Sequence, residues 1–359
     1  MSRSRDFGSA AGSLAAPSST YNGYTHVVDT TQSSGWNYIP PVYAGKNFLI
    51  NGAMEIWSRG VGPFSTGNNL TADCWKVDNG TATRQSGINQ FTYSLQIANS
   101  LTNPAIRQGV ELPIVGNASF FQPGSTWTIS FWAKTSTSIS STIAFYAAFA
   151  DQNGAGASNA VTIISNSNIG NSSTSWTKYV YTFTVGAGVV PVGTNTCVQI
   201  VPYLNSGAYS GNFNITGLQL ELSSTATPFS RAGGSFAGEV KECQRFYYRD
   251  TLEKHLCYVR DTNSWFVTKE FPVRMRAVPV FNHNLTTKVT PGTFPATAGQ
   301  IAIYGNGWIT QNATSLTAAS DGATTDHGTF YIQGFNGTAG ATGSLQSNGL
   351  SYFEWSADL

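Results

Sequence analysis

The chain has 359 residues and a net charge of +1, from 19 basic and 18 acidic side chains. Only 10% of residues are charged, yet 41% are hydrophobic and 13% aromatic, so the low charge does not signal disorder. No basic stripe offers a footprint for nucleic acid, and no apolar run approaches the ~20 residues that span a bilayer. With 37 glycines and abundant Ser, Thr and Asn, the profile fits an extracellular all-β protein with a neutral, hydroxyl-rich surface.

Residues 1–46 read as an extended arm. They lack a sustained period of 2 or 3.6, and two early arginines without an apolar stretch behind them do not make a secretory signal. An extracellular composition without an export signal is resolved by release through host lysis; a removed signal or a leaderless export system would also resolve it. Five aromatics stand within twenty-three residues of the arm, Tyr21, Tyr24, Trp36, Tyr38 and Tyr43. Solvated linkers rarely carry so many, so Tyr21, Tyr24, Trp36 and Tyr38 are expected to anchor the arm on a partner protein.

From Asn47 to Arg231 the chain reads as successive strands. FTYSLQI (91–97), TWTISFWAK (126–134) and TIAFYAAF (142–149) are rich in aromatic and β-branched residues. In WTKYVYTFTV (176–185), Tyr179, Tyr181, Phe183 and Val185 share one face, as in a half-buried antiparallel strand. CVQIVPYL (197–204) and FNITGLQLEL (213–222) continue the series. Short Gly, Asn and Ser clusters between the runs favour a β-sandwich or jelly roll, with domain bounds at 47–234 and 235–359. Burial is the expectation for Trp57, Trp75, Phe131, Trp132 and Trp176, and Glu221 reads as a rim residue.

One segment, 235–249, has helical spacing, with Phe236, Val240, Cys243 and Tyr247 on one stripe. Fourteen charged residues lie between Glu239 and Arg276. They suit either a solvated helix face or a stripe that meets copies of itself, with charges setting register. The chain after Ala277 is again neutral and strand-like, a second β domain. There Tyr304 and Trp308 flank the turn Gly305-Asn306-Gly307, and Asp326 and His327 close a loop. These four are the expected sugar-contacting group, an aromatic platform beside polar side chains.

Cys74, Cys197, Cys243 and Cys257 match no zinc spacing and are expected as buried free thiols; a Cys243–Cys257 disulfide is the alternative. The four histidines are scattered, and no GxSxG elbow, HExxH helix or phosphate loop is present. Neither a catalytic residue, nor a cofactor, nor a metal is therefore expected. Asp321 with Asp326 is the one acidic pair in a loop-like setting, read as turn residues or a calcium clip.

Several stretches together resemble a recurrent module of phage tail-fibre and virion structural proteins. They are Asn47-Phe-Leu-Ile-Asn-Gly-Ala-Met-Glu-Ile-Trp-Ser-Arg-Gly60, Thr71-Ala-Asp-Cys-Trp75, Ile129-Ser-Phe-Trp-Ala-Lys134 and Trp176-Thr-Lys-Tyr-Val-Tyr-Thr-Phe183. Gly217-Leu-Gln-Leu-Glu221 with Ala226-Thr-Pro-Phe229, and Cys243-Gln-Arg-Phe-Tyr-Tyr248, follow in the same order. The stretch Phe271-Pro-Val-Arg-Met-Arg-Ala-Val-Pro279 continues it, whereas Cys74 stands where the family usually has a basic residue. The resemblance implies a non-enzymatic, carbohydrate-binding-like jelly roll in a homotrimeric fibre, assembled in the host cytoplasm. It implies attachment to other virion proteins through the arm and to a host surface glycan. The competing expectations are a head-decorating or tail-cementing protein and a tailspike-type polysaccharide depolymerase.

Overall fold

A computed structural model describes the chain outside residues 1–46, 66–69, 99–101, 113–120, 152–158, 208, 252–253, 262–263, 289–294, 296–297, 306, 309–316, 334, 337–338, 348 and 358–359. The expected anchor residues Tyr21, Tyr24, Trp36 and Tyr38 lie outside the described residues. The described fold is nearly all-β with one short helix, as the strand-like runs predict.

The first strands are β1 (Lys76–Asp78), β2 (Thr81–Ser86), β3 (Tyr93–Ala98), β4 (Ala105–Glu111) and β5 (Thr126–Thr135). They continue as β6 (Thr142–Ala150), β7 (Val161–Asn171), β8 (Thr177–Thr184), β9 (Cys197–Asn205) and β10 (Phe213–Glu221). They form two five-stranded antiparallel sheets: sheet I, in the order β1-β4-β9-β6-β7, and sheet II, in the order β2-β3-β10-β5-β8. One core joins them, with Ile106, Phe145, Phe149 and Ile200 from sheet I against Ile97, Ile129, Phe131 and Leu220 from sheet II. Phe121 stacks on Trp127 in that core, 4.0 Å between centroids and 7° between planes. The alternation in β8 holds: Tyr179 and Phe183 are buried while Val180 is exposed.

The segment before β1 is sewn onto the last strand of the sandwich. Asn47 donates through Nδ2 to the Leu218 carbonyl at 2.8 Å and accepts from the Leu220 amide at 3.0 Å. The Asn51-Gly52 turn has a steric reason: Asn51 has φ 55°, and a Cβ on Gly52 would sit 2.0 Å from the Leu218 oxygen. The Asn51 side chain accepts from the amides of Glu55 and Ile56 and donates to the Ile56 and Asp73 carbonyls.

Ser235 caps helix α1 (Phe236–Gln244) by accepting from the Gly238 amide at 3.1 Å. The helix is shorter than the 235–249 stripe predicts, because the chain turns into strand β11 (Tyr247–Thr251). Next come β12 (Lys254–Asp261), β13 (Ser264–Glu270), β14 (Val280–His283), β15 (Thr287–Lys288) and β16 (Gln300–Gly305). The last are β17 (Gly307–Trp308), β18 (Thr317–Ala323), β19 (His327–Gln333), β20 (Thr342–Gln346) and β21 (Tyr352–Ser356). Sheet III is β11-β21-β14; sheet IV is β15-β16-β20-β12-β13-β19-β18, with β17 hairpinned onto β16. Phe353 and Trp355 of sheet III pack on Trp265, Val267 and Phe330 of sheet IV, so this region has its own core.

The helical stripe turns into its own chain rather than toward copies of itself. Cys243 and part-buried Val240 pack with Ile56, Cys74 and Phe246 against the first sandwich. Tyr247, on β11, lies 2% exposed under the Arg59 guanidinium, which is 3.6 Å from its ring centroid. Of the four residues expected at a subunit axis, only Phe236 is exposed. The charges are likewise used between elements of one chain. Glu239 is fully buried, accepting from the Asn51 amide at 2.7 Å and pairing with Arg231. Arg245 and Arg276 both reach Glu111 of β4, at 2.8 and 3.0 Å.

All four cysteines are free and buried. Cys243 neighbours Cys74, and burial followed by that thiol pushes its pKa well up. Cys257 lies in the other core with Val259 and Trp265, which argues against a Cys243–Cys257 bridge.

Candidate functional site

The two outer faces of the first sandwich are finished differently. On sheet II, β10 is buried on both sides because the chain after it folds back across the sheet. Glu221, 0% exposed, accepts from the Thr227 amide at 2.9 Å, from the Thr227 hydroxyl at 2.8 Å and from Gln219 Nε2 at 2.9 Å. Gln219 Oε1 accepts from the Ser230 amide at 2.7 Å, and Thr128 Oγ1 donates to the Ser223 carbonyl at 2.8 Å. Glu221 is therefore not a rim residue but the buried clasp of a strap over residues 223–231. The buried carboxylate is stable there because each hydrogen bond satisfies a donor that water cannot reach.

On sheet I, β9 and β6 set the outer face. Phe145, Phe149 and Ile200 point into the core, so Ala144, Tyr146, Ala148, Gln199, Val201 and Tyr203 point out. Register places Tyr203 opposite Ala144 and Ala105, Tyr146 opposite Val201, and Gln199 opposite Ala148 and Gly109. The two tyrosines are thus diagonal neighbours, within reach across adjacent strands. Small residues beside each ring leave its surroundings low. Ala105, Ala144, Val201 and Tyr203 are buried together with Tyr146 packed against them, an apolar cluster on the side of the sheet away from the core. Burial raises the Tyr203 phenol above its ordinary value, which keeps the hydroxyl protonated as a donor.

Polar groups border this cluster. Arg107 donates through Nε to Asp78 Oδ2 at 2.7 Å, and its Nη2 reaches the same oxygen. At the far end Thr142 Oγ1 and Asn205 Nδ2 both donate to Asn168 Oδ1, at 2.9 and 3.1 Å. Further along, Glu111 is held by two guanidinium groups. Aromatic faces, a low floor and a rim of neutral amides and hydroxyls make a surface suited to apolar stacking with peripheral hydrogen bonds. Both carboxylates on it are neutralised by arginine.

The sequence-predicted group is not brought together. Tyr304 (43% exposed, β16) pairs in register with Trp308 of β17, whose backbone alone is described. Asp326 and His327 sit at the β18–β19 turn. From β16 to β19 the sheet runs β16-β20-β12-β13-β19, four strand spacings or ~19 Å. His327 Nδ1 lies 3.1 Å from the Thr324 hydroxyl within its own turn, and Asp326 lies 4.0 Å from Arg274. Asp321 stands by Arg260 at 3.5 Å, and among the described residues no group of three potential ligands could hold a metal ion. Trp57, Trp75 and Phe131 are core residues as expected, whereas Trp132 is half-buried and Trp176 lies half-buried under Lys134, 5.0 Å from its ring.

Residues 64–196 match the model of a family described as carbohydrate binding domain. That segment contains β1–β8, including four of the five strands of sheet I. No curated protein matches the chain. Among solved structures it is distantly similar to the CBM22-1 xylan-binding domain of Paenibacillus barcinonensis Xyn10C (16% identity, 52% of this chain, 99% of that one, TM-score 0.32). It is similar to the C-terminal family 22 carbohydrate binding module of Clostridium thermocellum Xyn10B (17% identity, 47% and 99%, TM-score 0.29). It is also similar to the enzymatically active domain of tailspike protein 4 from bacteriophage CBA120 (16% identity, 49% of this chain, TM-score 0.30). The chain spans 21% of that tailspike domain.

Proposed function

We propose that the outer face of sheet I binds a glycan, with Tyr146 and Tyr203 as the stacking platform and Gln199, Arg107, Thr142 and Asn168 as hydrogen-bonding groups. The observation that carries this is the apolar cluster of two tyrosines and small residues on the outward side of the sheet, of which Ala105, Ala144 and Tyr146 lie within the segment that matches a carbohydrate-binding family and Val201 and Tyr203 just beyond it. Recognition rather than hydrolysis suits the face, since Asp78 and Glu111 are engaged by arginines and neither is poised as a general acid.

The wider reading follows the motif resemblance. The chain is a non-enzymatic subunit of a tailed-phage fibre or appendage, working as a homotrimer on the virion, docked through residues 1–46 and presenting its sandwich to a host surface glycan.

Tyr146→Ala tests the site. The side chain is half-buried, so the fold should persist while retention on the bound polysaccharide falls at least tenfold, about 1.4 kcal/mol. Unchanged retention with a normal melt would refute the sheet I assignment. Deleting residues 1–46 tests the wider reading: the truncated protein should fold and oligomerise yet be missing from purified particles, and normal incorporation would refute the anchor.

A further inference from the structure

Sheet IV carries a second aromatic row, on the side away from its core. Trp265 and Val267 of β13 point into the core, so Phe266 between them points out. Register sets Phe266 beside Tyr258 of β12 and Tyr331 of β19. The ring centroids are 5.7 Å (Tyr258–Phe266) and 5.8 Å (Phe266–Tyr331) apart, inclined by only 30° and 40°. Arg260 lies over Phe266 at 4.1 Å. Phe266 is thereby sealed at 1% exposure and serves as the base that fixes its neighbours. Tyr258 remains 44% exposed, and Leu256, two residues along the same face, is 86% exposed. Tyr304 joins the row of Leu256 through Ser344, which pairs with both.

An exposed apolar strip on one sheet face calls for an occupant. Its borders say which. One neighbouring row holds the paired Thr268 and Thr329 hydroxyls, 3.2 Å apart. The other holds Ser264 and Gln333, joined at 3.2 Å. The charged pair beside the row, Arg260 and Asp321, neutralises itself, and the exposed Glu270 stands two residues past Thr268 at the end of β13. The exposed parts of Tyr258, Tyr331, Leu256 and Tyr304 amount to on the order of 300–400 Å². A stable interface between copies needs about 800 Å² on each partner. The strip is too narrow for that and is flanked by hydroxyls and amides rather than by more apolar surface.

We propose that this face is a second carbohydrate platform, taking a neutral polysaccharide whose sugar rings lie across β12, β13 and β19 on Tyr258 and Tyr331. The neighbouring hydroxyls and amides bond the sugar hydroxyls. Because the row crosses three strands, it suits a chain of sugars better than a single ring. The platform lies outside the segment that matches the carbohydrate-binding family, so it makes the chain bivalent for polymer and raises retention by avidity.

The test is affinity electrophoresis of the full chain through gels holding soluble xylan, mixed-linkage β-glucan or β-1,4-galactan, with sedimentation in parallel. Wild type should be retarded by at least one polymer. Tyr146→Ala should leave residual retardation, and adding Tyr258→Ala should reduce that residue at least fivefold, whereas Tyr258→Trp, which keeps a ring, should retain it. If Tyr146→Ala alone abolishes retardation and Tyr258→Ala leaves wild type unchanged, the platform is overturned and the sheet I site stands. The converse pattern keeps the platform and overturns sheet I. Retardation by none of the polymers overturns both. If Tyr258→Ala instead yields a smaller sedimenting species with unaltered retardation, the strip is an interface between copies and the proposal falls.

Discussion

Sheets I and II share one core and comparable strands, yet their outer faces differ in what covers them. Sheet II turns Thr128, Ser130, Thr216, Gln219 and Glu221 outward, and all are buried. Hydrogen bonds within the chain account for Thr128, Thr216, Gln219 and Glu221. Sheet I turns outward two tyrosines, alanines and an arginine–aspartate pair, and among the described residues no strap comparable to 223–231 crosses them. Burial of polar groups with partners supplied from the same chain marks a structural face. The outward residues of β9 are buried as well, among apolar neighbours, and the half-buried Tyr146 is the ring that this face leaves accessible.

The largest test of that contrast is Glu221→Ala. It strands the Thr227 amide and takes one acceptor each from the Thr227 hydroxyl and the Gln219 amide, and chemical denaturation should show a loss of about 2–4 kcal/mol. Glycan retention per folded molecule should stay at the wild-type level. A loss of retention without a loss of stability would reverse the roles given to the two faces.

A smaller effect separates the clasp from the ion pairs of the second region. Burial works to raise the Asp250 pKa, but hydrogen bonds from His255 and Lys269 outweigh it and hold the carboxyl below its usual range. A depressed carboxyl contributes stability above the unfolded value of about 3.9, and that contribution is lost as pH falls through the folded value. Glu239 behaves oppositely. Burial raises its pKa, so it favours folding in acid and loses that contribution as pH rises past its unfolded value of about 4.3. Asp250→Asn should therefore cost about 2 kcal/mol near neutrality and flatten the acid limb of a stability–pH curve. An acid limb as steep as in wild type would discard this assignment. The smallest effect belongs to Lys134→Ala, which removes a half-buried cation from the Trp176 ring and should change stability by about 0.5 kcal/mol.

Much of the fold was legible in the chain because strand periodicity is local. The alternation of Tyr179, Tyr181 and Phe183 needed no tertiary information. The outward side of β6 was also available: in TIAFYAAF, small Ala144 and Ala148 bracket Tyr146 while Ile143, Phe145 and Phe149 fill the alternate register. What hid it is that both registers are apolar, so composition could not say which side met the core. Within β9, Gln199, set between Val198 and Ile200, was the remaining clue. The Val240–Cys243 stripe misled for a related reason. A helical stripe predicts that something covers it, and here the cover is Ile56 and Cys74, more than a hundred residues away. The Tyr304–His327 grouping relied on nearness along the chain, which a sheet of crossing connections does not preserve.

The stitches between the start and the end of the first sandwich also fix a timetable for its birth. Asn47 is held by residues 171 and 173 positions later, and the Asn51 amide by Glu239, 188 positions later. A ribosome adding about 5–20 residues per second leaves Asn51 waiting on the order of 10–40 s for its partner. Throughout that interval sheet edges and the aromatic core are exposed, and most of the pairings that close them are between distant residues, which slows folding further. A chain cut short before Glu239 lacks the acceptor of the Asn51 amide and should accumulate as aggregate rather than as a smaller sandwich.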